Sequence, residues 1–307
     1  MLKAKDLLGL RGLDKQEILL ILEQAFAFKE LFSRPHKQVP ALRGKTIVNL
    51  FFEPSTRTRN SFDRAVKTLG ASVINIAVAQ SSVKKGETII DTVKNIEAMG
   101  IDALVVRHEN AGVPKMIADN VECPVINAGD GFHEHPTQGL LDIFTMVEKK
   151  GDLEDKKITI IGDVLHSRVA RSNIWGLNKL GAEVTVCGPS SLIPAKIAKM
   201  GCKVEYDLDK AIKDADFLNI LRVQFERQNA GFFPTTREYR NYFGVTKERL
   251  KNAKDDVIIL HPGPMNRGIE IDSDVADGEK NVILEQVLNG VVVRMAVLYL
   301  LISGGEK

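Results

Sequence analysis

Short runs of β-branched and aliphatic residues alternate along the chain with stretches whose apolar positions recur at helical spacing. That alternation predicts an α/β fold of parallel sheets wrapped by helices. Thr46-Ile47-Val48-Asn49-Leu50-Phe51-Phe52 reads as a buried strand, and Phe62, Ala65, Val66 and Leu69 then share one helix face, which places Ser55 near the helix N-cap. An opening helix is expected from Asp14, which has capping-box spacing to Glu17, running through Leu19, Leu20, Leu22 and Phe26. Further strands are predicted at 72–77, 103–106 and 124–127. A helix from about Pro136 to Lys149 carries Leu140, Leu141, Ile143, Phe144 and Val147 and stops at Lys149-Lys150-Gly151. A second series of strands follows near 157–161, 183–187, 203–206, 217–221 and 257–260, and a last helix, about 281–302, is expected to return to the first domain. The organisation is therefore two domains, 1–150 (completed by 285–307) and 151–284, each a parallel sheet flanked by helices, without repeats or low-complexity linkers.

Length agrees with that division, since 307 residues exceed one typical domain. Hydrophobic residues at 44% and charged ones at 27% are globular values, and a net charge of only +2 supplies no field to recruit nucleic acid, so anions must be met by local clusters. Cys123, Cys187 and Cys202 are widely spaced and lack a Cys-x-x-Cys pair, which reads as buried thiols in a reducing compartment. The amino terminus lacks the features of a signal peptide, so a cytoplasmic location is expected. The longest apolar run, Val291 to Ile302, is interrupted by Arg294 and too short to span a bilayer, so it reads as a buried helix rather than a membrane anchor.

The polar clusters fall on this map with a common position. Ser55 to Arg59, Arg107-His108, Asn127 through Gln138, Gly162 through Arg168, Arg222-Val223-Gln224 and His261-Pro262-Gly263-Pro264 each come just after a predicted strand. Ligands of parallel α/β sheets bind at that edge, so one active site in the interdomain cleft is expected. Its residues are cationic and rich in donors: Arg57, Arg107, Arg168 and Arg222 with Ser55, Thr56, Thr58, His135, Gln138 and Gln224. Guanidinium forks match phosphate and carboxylate, so the ligands should carry several negative charges. No His, Cys or carboxylate spacing suits zinc, His133 and His135 being the minor exception, and neither a metal nor a cofactor is expected. Ser55, His135 and Asp163 as a hydrolase triad is disfavoured without a Gly-x-Ser-x-Gly elbow. Gly162-Asp163-Val164-Leu165-His166 lacks the further glycines of a dinucleotide fingerprint. Arg59 and Arg64 read as ion-pair partners, His108 and His133 as surface or interdomain residues, His261 as an orienter of its loop, and Asp163 as a helix cap or arginine partner.

Several motifs together carry a resemblance that spans the chain: Phe52-Glu53-Pro54-Ser55-Thr56-Arg57-Thr58-Arg59, Lys84-Lys85-Gly86-Glu87-Thr88, Asn127-Ala128-Gly129-Asp130-Gly131, His135-Pro136-Thr137-Gln138, Arg222-Val223-Gln224-Phe225-Glu226-Arg227 and His261-Pro262-Gly263-Pro264. The chain resembles the aspartate carbamoyltransferases of the aspartate/ornithine carbamoyltransferase superfamily. The resemblance implies transfer of a carbamoyl group from carbamoyl phosphate to L-aspartate in pyrimidine synthesis, with 1–150 binding carbamoyl phosphate and 151–284 binding aspartate. It implies that Ser55, Thr56, Arg57 and Thr58 hold the phosphate, and that Arg107 and His135, with Thr58, act on the carbonyl oxygen. Gln138 and the carbonyls around Pro262, Gly263 and Pro264 would meet the carbamoyl group. Arg168, Arg222 and Gln224 would bind aspartate, aided by Lys85 and Ser81 of a neighbouring subunit in a homotrimer. The loop at 262–268 resembles relatives that associate with dihydroorotase or remain free trimers. Two alternatives stay open: an ornithine-type acceptor, against which the absence of a His-Cys-Leu-Pro loop counts, and an inactive ligand-binding or scaffold member.

Overall fold

The computed structural model describes residues 2–77, 87–224 and 235–304. The chain forms two compact units, one of Met1–Phe144 with Leu288–Lys307 and one of Thr145–Val287. In chain order the first contains α1 (Lys15–Leu31), β1 (Thr46–Phe51), α2 (Thr56–Thr68), β2 (Ser72–Ala77), α3 (Ile89–Glu97), β3 (Ala103–His108), α4 (Val113–Ala118), β4 (Val125–Asp130) and most of α5 (Pro136–Lys150). Its strands are all parallel in the order β2-β1-β3-β4. From β1 the chain steps outward to β2, then returns to the other side of β1 for β3. The point where it reverses, between β1 and β3, is where such sheets leave a crevice at the strand C-termini.

The second unit contains β5 (Lys157–Ile161), α6 (Arg168–Lys179), β6 (Glu183–Cys187), β7 (Lys203–Glu205), α7 (Leu208–Ile212), β8 (Phe217–Ile220), α8 (Thr236–Phe243), β9 (Ile258–Leu260) and α9 (Ser273–Ala276). Its parallel order is β7-β6-β5-β8-β9, with the reversal between β5 and β8. The last helix, α10 (Ile283–Ser303), belongs to the first unit from Leu288 onward.

The patterning that predicted these elements also explains their burial. Val48, Leu50, Leu104, Val106 and Val125 from the first sheet pack with Val93, Ile96 and Ile117 from α3 and α4. Ile161, Leu218, Ile220 and Ile259 of the second sheet pack with Leu208, Ile212, Val275 and Ile283. Each such side chain contributes about 1.5–3 kcal/mol when fully buried. The capping box of α1 forms as expected, with Glu17 N–H donating to Asp14 Oδ1 at 2.9 Å and Asp14 N–H to Glu17 Oε2 at 3.0 Å. Its buried stripe is Ile18, Ile21, Leu22, Ala25 and Phe28, whereas Leu19 and Phe26 lie on the exposed side.

Three expectations need correction. β3 continues through Arg107 and His108, and β4 runs past its expected end at 127 to Asp130, so these residues end strands rather than follow them. His108 is a buried residue, not a surface one: its Nδ1 accepts the Asn110 N–H at 2.9 Å, its ring packs on Phe52, and burial lowers its pKa. The apolar carboxy-terminal stretch belongs to a 21-residue helix, long and apolar enough by length and composition to cross a membrane, yet most of it is buried inside the protein. All three cysteines are free and buried, and burial pushes the Cys123 and Cys187 thiols up to about 12.

Candidate active site

At the first switch point the sequence places a donor cluster on rigid supports. Phe51 pairs in register with Arg107 across β1 and β3, and Phe52 N–H donates to the Arg107 carbonyl at 2.9 Å. Ser55 is the N-cap of α2 with extended backbone, but its side chain makes no capping hydrogen bond. The hydroxyl and the first N–H groups of α2 thus remain oriented for a ligand at the positive end of the helix dipole. Arg107 fans across three elements: Nε lies 2.7 Å from Glu53 Oε1, and Nη1 reaches Thr58 Oγ1 at 3.4 Å and the Ala128 carbonyl at 3.3 Å. Thr58 is buried on the first turn of α2, so Thr58 and Arg107 are brought together as expected.

His135 is buried just before α5, and its carbonyl accepts from Gln138 N–H at 3.0 Å and Gly139 N–H at 3.1 Å. Gln138 Nε2 donates to Asp142 Oδ1 at 2.9 Å, one turn further along the helix. The loop before His135 is organised by Asp130, which accepts from Asn127 Nδ2, Gly112 N–H and Glu134 N–H and contacts His133 Nδ1 at 3.1 Å. Burial pushes the Asp130 pKa up, but the hydrogen bonds from His133, Gly112 and Asn127 outweigh it and hold the carboxyl below its ordinary range. His133 is therefore this aspartate's partner.

Some contributors in this unit were not visible in the sequence. Glu53 fixes Arg107, Asp142 fixes Gln138, and Arg294 of α10 is fully buried with Nη1 donating to Ser61 Oγ and the Gly290 carbonyl, both at 2.9 Å. Burial, reinforced by the nearby positive charge of Arg107, pushes the Arg294 guanidinium down to about 9, with Asp142 acting in the opposite direction. The Gln138 to Asp142 spacing of four on a helix was a usable signal. In the sequence Arg294 stands only as a break in the apolar run Val291 to Ile302.

In the second unit the corresponding cluster flanks the β5/β8 switch point. Ile161 pairs with Ile220, and Leu221 N–H donates to the Ile161 carbonyl at 2.7 Å. Gly162 has φ 119, and a Cβ there would press on the Leu221 carbonyl and Tyr239 Oη, so the turn out of β5 requires glycine. Asp163 accepts from the backbone N–H of His166 at 3.2 Å, and His166 Nδ1 lies 2.9 Å from it. The cap of α6 is Ser167, whose Oγ accepts from Ala170 N–H, and Arg168 follows as the first helical residue, almost wholly buried. Gln224 Nε2 donates to the His166 carbonyl at 3.2 Å, which ties the segment after β8, with half-buried Arg222, to the turn after β5.

His261 orients its loop, as expected. Its N–H donates to Gln286 Oε1 at 2.9 Å, and its Nδ1 accepts from Gly263 N–H at 2.9 Å, so the neutral ring carries its proton on Nε2, 3.3 Å from Glu270 Oε1. Glu270 also accepts from Asn266 N–H, and Asn266 Nδ2 donates to the Val223 carbonyl at 3.0 Å. Pro262, Gly263 and Pro264 thus sit on a braced loop, with a cis Gly263–Pro264 peptide. Ser81 and Lys85 lie outside the described residues, as do Phe225, Glu226 and Arg227. Among the described residues no group of three His, Cys, Asp or Glu side chains could hold a metal ion.

Comparison with known proteins shows the family to which the chain belongs. A family model for the aspartate/ornithine carbamoyltransferase carbamoyl-P binding domain matches residues 5–148, and one for the Asp/Orn binding domain matches 154–301. The chain is 61% identical to the aspartate carbamoyltransferase catalytic subunit of Gemmatimonas aurantiaca over 300 residues, covering 98% of this chain and 94% of that one. It is 57% identical to that of Carboxydothermus hydrogenoformans over 308 residues, covering 100% and 99%. Among solved structures, aspartate transcarbamoylase from Trypanosoma cruzi in complex with carbamoyl phosphate superposes with a TM-score of 0.88 at 29% identity, covering 97% of this chain and 96% of that one. Ornithine carbamoyltransferase from Pyrococcus furiosus gives 0.87 at 33% identity, covering both chains in full.

Proposed function

We propose that this chain, which belongs to the aspartate/ornithine carbamoyltransferase family, transfers the carbamoyl group of carbamoyl phosphate to L-aspartate, giving N-carbamoyl-L-aspartate and phosphate. The observation that carries the phosphate half is the open N-terminus of α2: Ser55 does not spend its hydroxyl on the helix, and Arg107 stands at the same switch point within hydrogen-bond reach of Thr58. Ser55, Thr56, Arg57 and Thr58 then bind the phosphate, and Gln138 with the carbonyls of Pro262, Gly263 and Pro264 binds the carbamoyl group. Arg168 and Arg222 take the two carboxylates of aspartate, with Gln224 and a neighbouring subunit's Lys85 and Ser81 completing the acceptor site.

The chemistry needs no covalent intermediate. The neutral amine attacks the carbonyl carbon, a C–N bond forms, and negative charge grows on the carbonyl oxygen facing Thr58, Arg107 and His135. Losing one such donor typically costs about 2.7–4 kcal/mol of barrier. The C–O bond to phosphate then breaks, and the departing phosphate accepts the amine proton. Holding both reactants in place supplies a further entropic share of the acceleration.

The reaction belongs to pyrimidine synthesis, and three free buried cysteines suit a reducing cytoplasm. We place the chain in a homotrimer, with dihydroorotase as a further candidate partner. A second reading, ornithine as acceptor, draws on the likeness to the Pyrococcus furiosus enzyme. Phosphate release from carbamoyl phosphate, measured with L-aspartate and L-ornithine side by side, separates the two. Release with aspartate that vanishes in Arg57→Ala is the expected result; release with ornithine alone would replace the acceptor assignment, and none with either would favour an inactive member.

A further inference from the structure

We propose that Glu134 is a positioning residue for His135, and that the amino-terminal segment is the anchor through which it acts. The role rests on the reading of His135 given above. Glu134 is almost wholly buried and immediately precedes His135. Its two oxygens accept successive backbone N–H groups from the start of the chain, Leu10 to Oε2 at 2.7 Å and Arg11 to Oε1 at 3.2 Å. Consecutive N–H groups in a turn form a cradle for an anion, and here the anion is this carboxylate.

The anchor is itself fixed. Leu7 bridges Ile126 as a short parallel addition to the edge of the first sheet, with Leu7 N–H donating to the Val125 carbonyl at 2.9 Å and Asn127 N–H to the Leu7 carbonyl at 2.8 Å. Val125 N–H donates to Asp6 Oδ1 at 2.8 Å, and Asn127 Nδ2 to the Leu8 carbonyl at 2.9 Å. From the other side, Glu134 N–H donates to Asp130 Oδ1 at 3.1 Å, and Asp130 N–H to the Glu134 carbonyl at 3.2 Å. Residue 134 is therefore held by side chain and backbone alike, and His135 leaves it directly into the first turn of α5.

Gly9 supplies an independent observation. A Cβ at that position would overlap Glu134 Oε1 and Cδ, so with any larger residue at 9 the carboxylate would have to shift from its present place. Carboxylate chemistry matters as well as reach, because a glutamine amide would turn one acceptor into a donor against a backbone N–H. A shift of about 1 Å in a reacting group can cost on the order of 100-fold in rate.

Glu134→Gln removes the double acceptor, and Gly9→Ala displaces the carboxylate by steric contact while leaving residue 134 a glutamate. Full-length protein in its own assembly is assayed for carbamoyl-phosphate-dependent phosphate release, thermal unfolding, and the resonances of labelled histidines, with His135 identified as the signal lost in His135→Asn. The expected result is a fall in kcat of about 10- to 100-fold in both variants. The KM for aspartate stays within about twofold, the His135 resonance moves, and the double variant is no worse than the poorer single one. Variants that lose thermal stability yet keep kcat and the His135 resonance would reduce the clamp to a structural tie and overturn the proposal. Should Glu134→Gln fail to fold, Gly9→Ala decides by the same two readouts. If His135→Asn turned over at the parental rate, the functional reading of His135 would fall, while the resonance shift would still decide whether Glu134 positions it.

Discussion

The two units present one architecture with opposite treatments of the helix that follows the switch point. In the first, Ser55 caps α2 by backbone alone and leaves its hydroxyl unspent on the helix; in the second, Ser167 caps α6 with its side chain, accepting from Ala170 N–H at 3.1 Å. One helix end is left open to an anion, and the other is closed by its own serine. The difference suits the ligands proposed for each. A compact phosphate can sit among backbone N–H groups and hydroxyls at a helix terminus, whereas carboxylates on a flexible amino acid are better met by guanidinium forks such as Arg168 and Arg222.

The sharpest way to break this contrast is to exchange the cations. Arg107→Met removes the donor that stands at the first switch point, and kcat should fall about 100- to 1,000-fold. Arg222→Met, at the second, should instead raise the KM for aspartate about 10- to 100-fold, the worth of one charge-assisted hydrogen-bonded contact. Steady-state kinetics with each substrate varied in turn distinguishes them. If Arg107→Met changed only the KM for aspartate, the assignment of the two clusters to two substrates would be reversed.

A smaller effect tests the serines themselves. Ser167→Ala forfeits a working side-chain cap and should cost about 0.5–2 kcal/mol in urea unfolding. Ser55→Ala loses no capping bond, so stability should hardly change while the affinity for carbamoyl phosphate drops. Equal losses of stability in the two variants would mean that Ser55 also serves its helix, and the contrast between the units would disappear.

How far these features could be read from the sequence follows the same physical divide. Strands came through because both faces of a parallel strand are buried, leaving unbroken runs such as Ala103-Leu104-Val105-Val106. Their ends did not. The strand expected to stop at Val106 is finished by Arg107 and His108, and the one expected to stop at Asn127 runs on to Asp130, since the strand C-terminus is where the fold delivers polar groups. The candidate residues themselves were legible through clustering after strands, but their supports were not. Glu53 looked like part of a motif without a duty, and Arg294 reaches Ser61 from 233 residues away, a contact that no local spacing announces. His108, expected at the surface or between domains, is turned inward against Phe52 by continuation of the strand.

The mildest prediction concerns an aspartate–histidine pair that the two units share in form, Asp130 with His133 and Asp163 with His166, each three residues apart with Nδ1 facing the carboxylate. The Asp163 pair is buried, whereas His133 is about half exposed, so the first pair can be titrated from solution. The Asp130 pKa is lowered on folding, with donated hydrogen bonds outweighing burial. An unfolded chain therefore binds more protons here than the folded one as pH falls through the folded value. The stabilisation is complete above the ordinary carboxylate range and disappears on acidification below it. Asp130→Asn should be less stable than the parent in urea at pH 6, and the gap should narrow as the pH is taken from 5 towards 2. A gap that stayed constant would mean the carboxylate acts through shape alone, and that the loop before His135 is held in place without help from charge.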